Sequence, residues 1–227
     1  MKNILIFGGS SDIGRSLAKY LINMGNNVIV TYNKHKVNDI KAIKCDIRNE
    51  IEIEDAIKKV IKEYKRIDII INMAAISKDN YFLDKTKEEF MNVLEVNLVG
   101  VFLTSKIYSK YIDDGMIVNI SSTDGIDTYN EYNIDYATSK CGMINMSKNI
   151  SMCTNNKVIC ICPNWIDSDS TRSMDKDYLM NELKRIGQSR LIKIDELNDG
   201  IYKIINDNID GIYRIDVKGD KLWIEKM

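Results

Sequence analysis

The feature that most constrains this chain is an alternation. Short β-branched runs are followed, repeatedly, by longer segments whose apolar residues recur at helical spacing. Strands are expected at Lys2–Phe7, Asn27–Thr31, Ile40–Lys44, Asp68–Met73, Met116–Ile120, Lys157–Cys162 and Gly211–Val217. Helices are expected at Ile13–Met24, Ile51–Tyr64, Lys87–Tyr111, Ile134–Met152 and Asp195–Ile205. Ile13, Leu17, Leu21 and Met24 line one face of the first helix; Ile53, Ile57, Val60 and Ile61 line one face of the second. The strands are apolar on both faces, which requires a parallel sheet covered on both sides. The expected class is therefore α/β, a doubly wound parallel sheet with helices on both faces, in one domain over residues 1–227. In such sheets ligands bind beyond the carboxyl ends of the strands.

Charge narrows the function. Lys and Arg total 32 and Asp and Glu total 33, a formal net charge of -1, so no global basic field exists to attract nucleic acid or an anionic membrane. The N-terminal apolar run is broken at once by Gly8 and Gly9, unlike a signal peptide, and no apolar run of about 18 residues is seen. A cytoplasmic protein without nucleic-acid or membrane partners is the expectation. Five cysteines are an odd number for a disulfide scaffold, and Cys160-Ile161-Cys162 lies in an expected strand with no second ligand pair, so no metal site is expected. His35 is the only histidine, and one histidine beside lysines does not build a hydrolase triad.

Three constellations carry chemistry. Gly8-Gly9-Ser10-Ser11-Asp12-Ile13-Gly14 joins the first strand to the first helix; glycines permit a tight turn there, and a helix N-terminus offers N–H groups to a phosphate. Tyr136 and Lys140 stand four apart on a helix, hence on one face, where an ammonium would favour the phenolate and lower the tyrosine pKa. Ser122, at the end of a strand in NISSTDG, stands fourteen positions before Tyr136 and offers a hydroxyl to a substrate oxygen.

Taken together these residues resemble the short-chain dehydrogenase/reductase family, in its short single-domain branch, over nearly the whole chain. The family's TGxxxGxG stands here as Phe7 to Gly14, its adenine-contact acid as Asp46 followed by Ile47, and its NNAG as Asn72-Met73-Ala74-Ala75. Its helix asparagine is matched by Asn97, its Ser and YxxxK by Ser122, Tyr136 and Lys140, and its PG-xxx-T by Pro163-Asn164-Trp165-Ile166-Asp167-Ser168. The resemblance implies a Rossmann-type fold and an oxidoreductase moving a hydride between a nicotinamide and a carbonyl or alcohol carbon. It implies Tyr136 as proton donor, Lys140 as its partner and ribose ligand, Ser122 as holder of the carbonyl oxygen, and Asn97 as holder of a water that links Lys140 to solvent. Cofactor contacts are expected from Gly8, Ser10, Ser11, Asp12, Ile13, Gly14, Asp46, Ile47, Asn72, Met73, Ala74, Tyr136, Lys140, Pro163, Asn164, Trp165, Ile166 and Ser168. Asp12 replaces the second glycine and Asn164 the glycine after proline; both residue types tolerate positive φ. The Asp12 carboxylate must then be paired or point away from the pyrophosphate.

Cofactor choice is read after the second strand, where NAD enzymes carry an acid for the ribose. Here Tyr32, Asn33 and Lys34 are followed by His35 and Lys36, with no acid, which suits the 2′-phosphate of NADP(H) over NAD(H) and favours reduction. Residues 167–188 are expected to form a lid, with Met174, Tyr178, Leu179 and Leu183 toward the substrate and Lys176, Lys184, Arg185 and Arg190 available to an acidic one. Reduction of 3-oxoacyl thioesters is the nearest common role in the family. A homodimer or homotetramer through the two long helices is usual in it, and a non-catalytic NAD(P)-binding regulator on the same fold is the alternative. Trp223 and Ile224 are too apolar for a free tail and are expected to dock.

Overall fold

The computed structural model describes all 227 residues, Met1–Met227. Eight strands form one sheet: β1 Asn3–Phe7, β2 Asn27–Tyr32, β3 Ala42–Lys44, β4 Ile69–Asn72, β5 Met116–Ile120, β6 Lys157–Pro163, β7 Gly211–Lys218 and β8 Lys221–Lys226. Their order is β3-β2-β1-β4-β5-β6-β7-β8. Strands β1 to β7 pair in parallel, and β8 returns antiparallel on β7, with Ile215 opposite Ile224 and Asp216 opposite Trp223. An antiparallel edge is a departure from the wholly parallel sheet expected. Gly219, at φ +61°, turns the chain back, and the apolar Leu222 and Ile224 pack beside Ile215 and Gly200. The tail docks as its composition required.

The helices are α1 Asp12–Asn23, α2 Glu50–Tyr64, α3 Lys87–Leu94, α4 Gly100–Tyr111, α5 Ile134–Ser151, α6 Asp169–Arg172, α7 Lys176–Ile186 and α8 Ile194–Asp207. One face of the sheet buries Leu17, Leu21, Leu197 and Ile201 of α1 and α8 against Ile4, Val30, Val118 and Ile159. The other buries Ile53, Ile57 and Val60 of α2 and Leu103 and Ile107 of α4 against Leu5, Ile29, Ile70 and Ile117. Each fully buried large side chain is worth about 1.5–3 kcal/mol, so the two apolar stripes that defined the helices in sequence are the adhesive of the layers. Cys160 and Cys162 are buried beside Ile126 and Ile144.

Helices α3 and α4 run continuously through a π-helical turn, Glu95–Val99, centred on Asn97. An 18-residue window of the 25-residue helix Lys87–Tyr111 has a mean hydropathy of 1.3, enough by length and composition to cross a membrane, although Glu95, Asn97 and Lys106 interrupt any apolar run. Its apolarity is accounted for by packing: Val93, Val101, Leu103, Ile107 and Tyr108 are buried within the protein. The sheet order reverses between β1 and β4, and the crevice at that point is where such folds bind their ligands.

Candidate functional site

The turn from β1 into α1 is shaped by contact. Gly8 has φ +86°, and a Cβ there would lie 2.4 Å from the Ala74 backbone, so only glycine lets the loop meet the end of β4. Ser11 caps α1: its Oγ accepts from Gly14 N at 3.1 Å and donates to Gly8 O. Asp12 is the first helical residue and does not use positive φ. Its carboxylate is paired, as the sequence demanded: Oδ1 accepts from Ile13 N at 2.8 Å and Oδ2 from Asp169 N, at the start of α6, at 2.6 Å. Two of the N–H donors expected to be open at this helix end, those of Ile13 and Gly14, are thus engaged by side chains.

The end of β5 fixes α5. Lys140 is buried; its Nζ donates to Ile120 O at 2.8 Å, and Ser121 Oγ donates to Lys140 O at 2.9 Å. A 3-10 turn, Thr123–Gly125, lies directly on this helix, because a Cβ on Gly125 would stand 2.6 Å from the Lys140 carbonyl carbon. Tyr136 and Lys140 share a face as expected, with Nζ 5.3 Å from the ring centroid. The expected lowering of the tyrosine by the ammonium is not what dominates. Burial pushes the Tyr136 phenol up, Asp124 adds to this, and the Ser122 hydroxyl pulls it down. Burial likewise pushes Lys140 down to about 8. A missed ion pair sets the start of α5. Lys85 Nζ meets Asp135 Oδ2 at 2.9 Å, both side chains nearly fully buried, and Asp135 Oδ1 accepts from Tyr136 N. Lys85 also donates to Lys78 O, so this pair ties the loop after β4 to the helix that carries Tyr136.

Ser122, Tyr136 and Lys140 line one cleft of about 720 Å³, together with Ser11, Ile13, Met73, Pro163, Asn164, Trp165, Ile166 and Ser168. Eleven of the sequence-selected residues therefore meet at the carboxyl ends of the strands. The others do not face it. Gly8, Gly14 and Ala74 form the floor of the glycine loop, with Ser10 half-buried at its tip. Tyr32 ends β2, and Asn33 and Lys34, which follow it, are exposed. Asp46 is held by Arg48 at 2.6 Å, which brings its carboxyl down to about 2, and Ile47 is buried against Gly100.

Two asparagines are spent on structure. Asn72 accepts from Thr104 Oγ1 at 2.8 Å and donates to Asn119 Oδ1 at 2.8 Å, a buried network rather than a cleft contact. Asn97 donates to Ile76 O and accepts from Ile76 N, each at 2.8 Å, and donates to Ser139 Oγ. Its amide therefore holds the loop after β4, as a kink asparagine satisfying backbone groups does. Asn164 adopts no positive φ; its side chain knots Thr123, Trp165 N and Asp216 together.

Residues 166–187 cross over the cleft. Met174 and Tyr178 line it, as expected of a lid. The basic residues of this segment do not: Arg172 pairs with Asp167 and Asp169, Arg185 with Glu182 and Arg190 with Glu196, while Lys176 and Lys184 are exposed. Sequence reading missed Asp124, Asn130 and Asn133 on the cleft wall, since loop polar residues carry no periodic signal.

A family model described as short chain dehydrogenase matches residues 2–179. The chain belongs to the short-chain dehydrogenase family. As an oxidoreductase of that family it is 30% identical to the 3-oxoacyl-(acyl-carrier-protein) reductase of Staphylococcus epidermidis, over 82% of this chain and 86% of the relative. It is 32% identical to carbonyl reductase family member 4 of Xenopus laevis, over 81% and 84%. Among solved structures, a short chain dehydrogenase from Leptospira borgpetersenii with bound NAD+ superposes with a TM-score of 0.83 at 27% identity, covering 93% of this dehydrogenase and 89% of that chain.

Proposed function

We propose that this short-chain dehydrogenase is an NADPH-dependent reductase of ketones. The observation that carries the reading is the convergence of Ser122, Tyr136 and Lys140 on one cleft wall, opposite Ser11 and Ile13 of the glycine loop. The loop fits a dinucleotide: its floor is closed to any Cβ at Gly8, and its rim carries hydroxyls and backbone groups at a helix N-terminus. When bound, the nicotinamide supplies the hydride that reduces the carbonyl carbon. Tyr136 gives its phenolic proton to the carbonyl oxygen; burial holds the phenol protonated, and the Ser122 hydroxyl works against that upward push. Ser122 holds that oxygen beside Tyr136. Lys140, fixed by Ile120 O, sits under the phenol and would hold the ribose hydroxyls of a bound cofactor. Asn97 is a positioning residue that acts through Ile76.

NADPH rather than NADH is supported by the end of β2. No acid follows Tyr32 there, Lys34 and Lys36 are exposed, and the nearest acids are already paired, Asp46 with Arg48 and Asp39 with Arg15 and Lys19. Self-association through exposed Met91, Val99 and Phe102 of the long helix is part of the same reading. The test is NADPH oxidation over a carbonyl panel that includes 3-oxoacyl thioesters, with NADH in parallel. Turnover is expected with NADPH and a fall of at least about a hundredfold in Tyr136→Phe. Binding of NADPH without turnover of any carbonyl would instead support a nucleotide-binding regulator.

A further inference from the structure

The cleft lining holds three carboxylates, Asp79, Asp124 and Asp175, against a single basic side chain. Asp124 stands two residues after Ser122, on the 3-10 turn that Gly125 presses against α5. It is half-buried, forms no ion pair, and accepts only a long 3.3 Å bond from Asn133 Nδ2 besides its contact with the Ser122 hydroxyl. Asn133 Oδ1 is buried and has no hydrogen-bond partner at all. Both residues line the cleft with Tyr136. The only basic side chain in the lining is Lys140, which lies beneath Tyr136 and gives one of its three donors to Ile120 O. The lid arginines are neutralised by acids of their own segment.

A buried acceptor without a donor costs free energy until a ligand supplies one. A carboxylate or phosphate near the reacting carbonyl would face Asp124, with Asp79 and Asp175 also in the lining and only Lys140 there to offset them. A ligand that brings O–H donors and no negative charge satisfies Asp124, which Asn133 Nδ2 holds in place. Resting on the reductase reading above, we propose that the substrate is an uncharged hydroxylated ketone, and that Asp124, held by Asn133, binds a hydroxyl next to its carbonyl. Asp124 is then a specificity determinant of this chain. Desolvation already pushes its carboxyl up to about 6, and a hydroxyl can serve it in either protonation state.

The test compares three ketones of one chain length with NADPH: a 2-pentulose, 2-pentanone and 2-oxopentanoate. The pentulose is expected to lead in kcat/KM by at least about tenfold, because a site built around a hydroxyl leaves its acceptors unpaired with the plain ketone. In Asp124→Leu that preference should collapse at least about tenfold, mainly through KM, and Asp124→Asn should restore part of it. The same ordering is expected for binding to the protein saturated with NADP+, read by titration calorimetry. Equal or reversed preference in the wild-type protein, in turnover or in binding, overturns the proposal while leaving the reductase reading intact. So does an unchanged preference in a folded Asp124→Leu. Failure to bind NADPH and to reduce any of the three sinks the reductase reading itself, and this proposal with it.

Discussion

The two sides of the cleft are held by different forces. On the glycine-loop side, β1, β4 and β5 are buried, and the loop is fixed by backbone contacts too close for a side chain. On the lid side, α7 has no buried residue; its Arg185–Glu182 pair lies within the helix, and Asn130 Nδ2 reaches it at Tyr178 Oη at 2.6 Å. Its base is clasped by one buried residue: Gln188 accepts from Trp165 N and donates to Trp165 O and Arg190 O. The first side is specified by packing, where a misfit of an ångström is costly. The second is specified by a few hydrogen bonds, which leaves it the freer to open and to vary.

The largest effect should come from attacking the packed side. Gly8→Val combines a left-handed backbone with a Cβ inside the Ala74 backbone, and should cost more than about 3 kcal/mol and abolish NADPH binding, read by chemical denaturation and fluorescence titration. A variant as stable as the wild type would break the contrast.

Asp124 stands between the two sides and gives a pH signature. Its folded carboxyl is raised to about 6, so the native state holds the proton more tightly than the unfolded chain. That stabilisation is full below the unfolded value near 4 and lost as the pH rises through 6. Asp124→Asn should therefore gain in melting temperature relative to wild type as the pH goes from 4 to 7, by the equivalent of about 1–3 kcal/mol. A pH-independent difference between the two would remove this assignment.

Gln188→Ala removes one of two partners from each Trp165 backbone group, leaving Asn164 Oδ1 and Ile192 N, and should destabilise by about 0.5–1.5 kcal/mol. Limited proteolysis should then cut first within residues 167–187, while β1 to β5 stay protected. Cleavage elsewhere would mean the lid is not the looser side. The smallest effect is expected at the strap from the glycine loop to α6. Asp12 holds Asp169 N and its own Ile13 N, the kind of donors a phosphate takes, so its carboxylate competes with an anionic ligand. Asp12→Gly should lower the Kd for NADPH severalfold, measured by titration; a weaker complex would assign Asp12 to supporting the loop instead.

The same contrast explains what could be read in advance. The strand and helix spans, the glycine turn and the Tyr136–Lys140 face depend on period and spacing, which are properties of the sequence. The roles of Asn72 and Asn97 were less legible. Whether an amide meets a ligand or a backbone group depends on which distant segment lies opposite, and here these were Thr104 with Asn119, and Ile76. The Lys85–Asp135 pair joins residues fifty positions apart and leaves no local trace.

What the sequence determined by itself is the layered sheet and the order of its motifs, because burying apolar stripes at period two and 3.6 admits few other arrangements. What only the tertiary structure decided is the chemistry of the cleft wall. It turned the lid arginines onto their own acids, set Asp12 on α6, and left Asp124 and Asn133 as acceptors beside Tyr136. Polar side chains find their partners by proximity after packing is complete, and proximity across a fold is not written in local spacing.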